Sequence, residues 1–104
     1  MENRTKVQTF IGFAMRTGQY KIGVNACQTL KKAKLMLVCH TASENTVKDA
    51  MKLAKKFHCK LCVTTNKTLE EYTNKPNSKV MAIANVDLAK SILENKQSEL
   101  IERN

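Results

Sequence analysis

The run Leu35-Met36-Leu37-Val38-Cys39 is apolar without interruption, and Lys34 stands immediately before it. Five residues are too few for a helix that is apolar all round, and they match a strand covered on both faces. Such a strand cannot lie at a surface, so the rest of the chain must supply a layer of structure on each side of it.

The flanking sequence supplies those layers. Residues 4–16 place Val7, Phe10, Ile11, Ala14 and Met15 on one helical stripe, and Gly18 follows where a left-handed terminating residue is wanted. A short turn, Gln19 to Ile22, leads to Gly23, which opens a second, shorter helical stretch to about Lys32. Ser43 is placed to cap a third helix whose inner positions are Val47, Ala50, Met51, Ala54 and Phe57. Its outer positions hold Lys48, Lys52, Lys55 and Lys56. Lys60 to Thr64 reads as a strand, and Thr68 with Glu71 as the capping box of a short helix ending before Pro76. Val80 to Ala84 reads as another strand, and Asp87 is placed to cap a last helix carrying Leu88, Ala89, Ile92 and Leu93. Regular alternation of helix and strand predicts an α/β protein, a three-layer α/β/α sandwich. At 104 residues there is room for one core. Residues 1–95 read as a single domain, and 96–104 as a helical extension or tail.

Charge narrows the choice of partner. The chain carries 18 Lys+Arg against 9 Asp+Glu, a net charge of +9. Residues 1–60 hold twelve of the cations and three of the acids, and the remainder is balanced at six of each. A field gathered on one part of the chain suits a polyanion. No stretch approaches the ~18 apolar residues of a membrane span. The polar start, Met-Glu-Asn-Arg-Thr-Lys-Val, lacks the apolar core of a secretory signal. A cytoplasmic location with reduced cysteines is the expectation.

Cys59-Lys60-Leu61-Cys62 has C-x-x-C spacing, with His40 and His58 elsewhere. A zinc site needs four converging ligands, whereas strand alternation turns these two cysteines to opposite faces. A redox pair belongs at a strand-to-helix turn, and this pair leads from helix into strand. Small buried hydrophobes are the expected role, with no metal. There is no G-x-S-x-G, no H-E-x-x-H and no glycine-rich phosphate loop, and His40 has no assigned base or orienting partner. Neither catalysis nor a cofactor is expected.

The segment from Lys21 to Leu35 carries more information. Gly23 allows close approach of backbone to a ligand, and the helix it opens offers free N–H groups to phosphate. Asn25 has a donor and an acceptor on one amide for a base edge. Gln28 lies on the same stretch, and Lys21, Lys31, Lys32 and Lys34 surround it with positive charge.

Three blocks carry a family resemblance: Phe10-Ile11-Gly12-Phe13-Ala14-Met15-Arg16-Thr17-Gly18 with Gly23, Ala33-Lys34-Leu35-Met36-Leu37-Val38, and Ala42-Ser43-Glu44-Asn45-Thr46. Together they resemble the short bacterial members of the ribosomal protein L-seven-Ae/L-thirty-e superfamily, over about residues 8–93. The resemblance implies a small, about four-stranded mixed sheet, hence one strand more than the alternation provides, near Lys21. It also implies binding of kink-turn RNA at a Gly-x-Asn-Glu-x-x-Lys pattern and at the loop before the last strand. Gly23 and Asn25 match that pattern; Ala26 and Thr29 replace its glutamate and lysine. The loop corresponds to Lys75-Pro76-Asn77-Ser78-Lys79, more polar than the family's apolar cap. The expectation is a monomeric, non-enzymatic protein that binds structured RNA, kink-turn-like or ribosomal, in association with the ribosome. Lys21, Gly23, Val24, Asn25, Gln28, Lys31, Lys32 and Lys79 are the candidate RNA contacts. The alternative is a protein-interaction module that keeps the fold without the RNA site.

Overall fold

The computed structural model describes residues 4–103. Helix α1 (Lys6–Thr17) starts at a capping box, with the Thr5 hydroxyl accepting from the Gln8 N–H at 3.2 Å and the Gln8 side chain accepting from the Thr5 N–H at 2.9 Å. It stops at Gly18, whose φ of 72° places it in the left-handed region. Strand β1 (Tyr20–Ile22), helix α2 (Val24–Gln28) and strand β2 (Leu35–Val38) follow. Helix α3 (Glu44–Phe57) is capped by Ser43, and strand β3 (Lys60–Thr64) comes next. The capping box of Thr68 and Glu71 opens helix α4 (Leu69–Thr73), which ends at left-handed Asn74, before Pro76. Strand β4 (Val80–Ile83), helix α5 (Val86–Asn95) and strand β5 (Leu100–Arg103) complete the chain.

The five strands form one mixed sheet in the order β1-β4-β2-β3-β5. Only β2 and β3 are parallel neighbours, joined by α3 as a crossover. All four residues of β2 are buried at the sheet's centre, as the apolar run requires. Leu35, Leu37, Cys62, Met81, Ile83 and Leu100 face one side, against α1, α4 and α5. Met36, Val38, Leu61, Val80 and Ala82 face the other, against α2 and α3. The architecture is a three-layer α/β/α sandwich.

Three expectations need correction. First, α2 ends at Gln28 and not near Lys32. The Thr29 side chain bonds back to the Ala26 carbonyl at 2.6 Å, and the Thr29 and Leu30 N–H groups close tight last turns onto Ala26 and Cys27. Buried Ala33 then draws the chain inward toward β2, so Lys31 and Lys32 ride on a loop. Second, Asn85 caps α5, accepting from the Leu88 N–H at 3.0 Å, and Asp87 sits in the first turn.

Third, the sheet has a fifth strand where a helical extension or tail was expected. Gln97 adopts a left-handed φ of 47°, which ends the helical path. Leu100 is then fully buried and Ile101 pairs with Val63. The Glu99 carboxylate accepts from Tyr72 Oη at 2.8 Å and from Thr5 Oγ1 at 3.0 Å. Lys60 and Lys96 both pair with Glu102, at 2.8 and 3.7 Å.

Candidate nucleic-acid interface

Gly23 joins β1 to α2 with φ 93° and ψ 148°, a conformation L side chains rarely adopt. Nothing lies within 4 Å of where its Cβ would be, so the backbone angle, not crowding, selects glycine. Its N–H donates to the Val80 carbonyl at 2.8 Å, and its own carbonyl accepts from the Cys27 N–H at 3.0 Å. This ties the start of α2 to the start of β4, and so to the loop ahead of it. That loop turns at Asn77, φ 60°, and the Lys79 carbonyl accepts from the Cys39 N–H at 2.8 Å. Val24 and exposed Asn25 therefore stand beside residues 75–79, the pair of segments the resemblance implied. No side chain caps α2, and at five residues its dipole is small. Any anion held here needs charged side chains.

Lys79 does not supply one. Its Nζ lies 2.8 Å from Glu70 Oε2 and donates to Thr41 Oγ1 at 2.9 Å. Hydrogen bonding to Glu70 raises the Lys79 pKa, and hydrogen bonding to Lys79 lowers that of Glu70. The charge is compensated within the protein.

Lys31 and Lys32 sit elsewhere. The Gly23 N–H bonds to Val80 and the Lys34 N–H to Ile83, at 2.8 Å each. These carbonyls are the two ends of β4, about 10 Å apart at strand rise. The loop 29–34 therefore occupies the opposite end of the sheet from the glycine. There it meets the C-terminal part of α3, where Lys56 Nζ donates to the Gln28 carbonyl at 3.3 Å. A groove of about 320 Å³ between α2 and α3 is lined by Gln28, Asp49, Lys52, Leu53 and Lys56.

What unites the candidates is the layer. Lys21 pairs in register with Ala82, whose side chain faces α2 and α3, so Lys21 emerges on that side too. Along α3, Lys48, Lys52 and Lys55 form an outer ridge at helical spacing, and Lys56 turns toward α2. From Val24 to His58 there are seven lysines and two acids. The ion pairs among the described residues are Lys60–Glu102, Lys79–Glu70 and Lys96–Glu102, and none involves these seven lysines. Of the eight expected contacts, Lys21, Gly23, Val24, Asn25, Gln28, Lys31 and Lys32 lie on the α2 side, spread from one end of the sheet to the other. Lys79 joins the glycine end with its charge already paired.

The cysteines divide between the layers. Cys62 packs in the core beneath α1, α4 and α5, whereas Cys59 packs against the core beneath α2 and α3. Burial pushes the Cys27 and Cys62 thiols up to about 11. Past the end of β2, the His40 N–H and Nδ1 lie 2.9 and 2.8 Å from Thr64 Oγ1. Arg103, on a strand that neither alternation nor an apolar run marks, lines a second cavity with Lys48, Lys52 and Lys55.

The fold defines a small α/β/α sandwich on a mixed five-stranded sheet. No protein-family model matches the chain, and no curated protein does. A solved structure of a protein with unknown function from Bacillus halodurans C is similar, with a TM-score of 0.73 at 19% identity. The match covers 88% of this chain and 96% of that one, and it shows a shared fold.

Proposed function

We propose that this protein binds structured RNA without catalysing a reaction, using the layer made by α2, the loop to β2, and α3. The observation that carries this reading is the set of six lysines there, Lys31, Lys32, Lys48, Lys52, Lys55 and Lys56, none of them in an ion pair among the described residues. Unpaired surface cations on one face release counterions when they meet phosphates, which is the main source of sequence-independent nucleic-acid affinity. Gly23, Val24 and Asn25 would meet bases or backbone at one end, and Lys31, Lys32, Lys52 and Lys56 would meet phosphates toward the other. The sequence resemblance to the L-seven-Ae/L-thirty-e superfamily supports a kinked or bulged RNA, such as a ribosomal segment, as the target, bound by a monomer in the cytoplasm. No helix-turn-helix is present among the described elements, and RNA is preferred to DNA on that ground.

The test is affinity for a kink-turn RNA and for a plain duplex across a salt series. Log affinity should fall with log salt at a slope of roughly −3, about four phosphate contacts. Replacing Lys31 and Lys32 together by Gln should reduce the magnitude of that slope by about 1–2. Asn25→Ala should weaken the kinked RNA more than the duplex. A wild-type slope near zero, or one the double replacement leaves unchanged, would refute the reading.

A further inference from the structure

The two faces of the sheet are unequally covered. Three helices pack on one face and two on the other. On the thinner side α2 packs on β1 and β4, and α3 on β2 and β3. Strand β5 lies beyond α3. The register pairs Ile101 with Val63 and Arg103 with Leu61, so both β5 side chains emerge on the α3 side, where Ile101 is 59% exposed. Between α3 and the β3–β5 pair opens a cavity of about 540 Å³. Met51, Ala54 and Leu61 supply its apolar surface, Lys48, Lys52, Lys55 and Arg103 its charge, and no carboxylate lines it.

The opening stands at the level of the helical layer, beside α3 and above the sheet, where a third helix would complete that layer. An apolar floor with a cationic border calls for an occupant that is apolar on one side and anionic on its flanks. A nucleobase fits less well, because the lining offers only the small ring of His58 for stacking and no Phe, Tyr or Trp, while Met51, Ala54 and Leu61 make the floor aliphatic. A second copy of this chain brings net positive charge to a positive border. We infer that the α3–β5 groove docks an amphipathic helix of a partner protein, with its apolar stripe on Met51 and Leu61 and acidic residues against Lys48, Lys55 and Arg103. This goes beyond the RNA reading: Lys48, Lys52 and Lys55 border both surfaces, whereas Met51, Leu61 and Arg103 belong to this groove and Lys31 and Lys32 to the RNA-facing loop.

The experiment is selection of a displayed random library of peptides of about 18 residues against the full chain, with nuclease present. Enriched peptides should carry apolar residues at i, i+3, i+4 and i+7 and a net negative charge. A synthetic copy should bind the protein at least ~10-fold less tightly after Met51→Asp or Lys55→Glu, with circular dichroism of both variants unchanged. Replacing Lys31 and Lys32 by Gln should leave peptide binding intact while weakening RNA, which separates failure of this inference from failure of the RNA reading. No enrichment, or peptides that bind the groove variants as well as the wild type, would overturn it. So would two other results with Met51→Asp: loss of RNA affinity with peptide affinity kept, or loss of a concentration-dependent dimer.

Discussion

Truncating Leu100 tests the least expected part of the fold. Leu100 is 0% exposed and belongs to the core beneath α1, α4 and α5, while its strand neighbour Ile101 is 59% exposed. Leu→Ala at a fully buried position costs about 2–5 kcal/mol, from lost burial plus the void left behind. An edge strand can move inward and shrink that void, which places this site toward the low end, about 2–3 kcal/mol. A domain of this size has a total stability of about 5–15 kcal/mol, so the loss is a large share of the whole. The expected fall in Tm is roughly 10–20 °C. Ile101→Ala removes a similar volume from the exposed side of the same strand and should cost under about 1 kcal/mol. Urea unfolding of both variants, followed by circular dichroism, gives the two midpoints and slopes. Equal losses would mean that residues 100–103 do not bury Leu100, and the five-stranded sheet would be wrong.

Two further outcomes follow from the side-chain environments. In the native state a disulfide reagent should reach half-buried Cys59 first, and Cys59→Ser should remove that phase; burial raises the Cys59 pKa too, but Cys27, Cys39 and Cys62 are fully buried and closed to the reagent. A fast phase that survives Cys59→Ser would refute this assignment. Glu70 should titrate below the ordinary 4.5, because Lys79 hydrogen-bonds its charged form. The unfolded chain therefore takes up that proton first on acidification, so the pair's contribution is present above pH 4.5 and lost as pH falls through the lower folded value. Carbon NMR titration should show the Glu70 midpoint moving up in Lys79→Gln; an unmoved midpoint would break the link between the two.

Most of the architecture was legible because its signals are local. Leu35–Val38 is apolar at every position and lies where a doubly covered strand must lie. Ser43, Thr68 and Glu71 cap the helices they were expected to cap. The misses share a cause, which is edge position. In β5 only Leu100 is buried and the other three residues are exposed, so neither alternation nor an apolar run marks it. Strand β1 has three residues and was implied by the family resemblance rather than by periodicity. For the candidate interface, proximity in sequence misled: Gly23 and Lys34 are eleven residues apart yet bond to opposite ends of β4. The link between Arg103 and the α3 lysines is purely tertiary, and nothing within either segment announces it.

One half-buried carboxylate oxygen links three separate parts of the chain. Glu99 Oε1 takes a proton donor from the residue that starts α1 and another from the tyrosine of α4, while its own backbone leads into β5. Fraying of β5 that carries Glu99 away therefore removes a hydrogen bond from the residue that caps α1, more than ninety residues upstream. In amide exchange these separate stretches of chain should open as one cooperative unit, their protection rising and falling together.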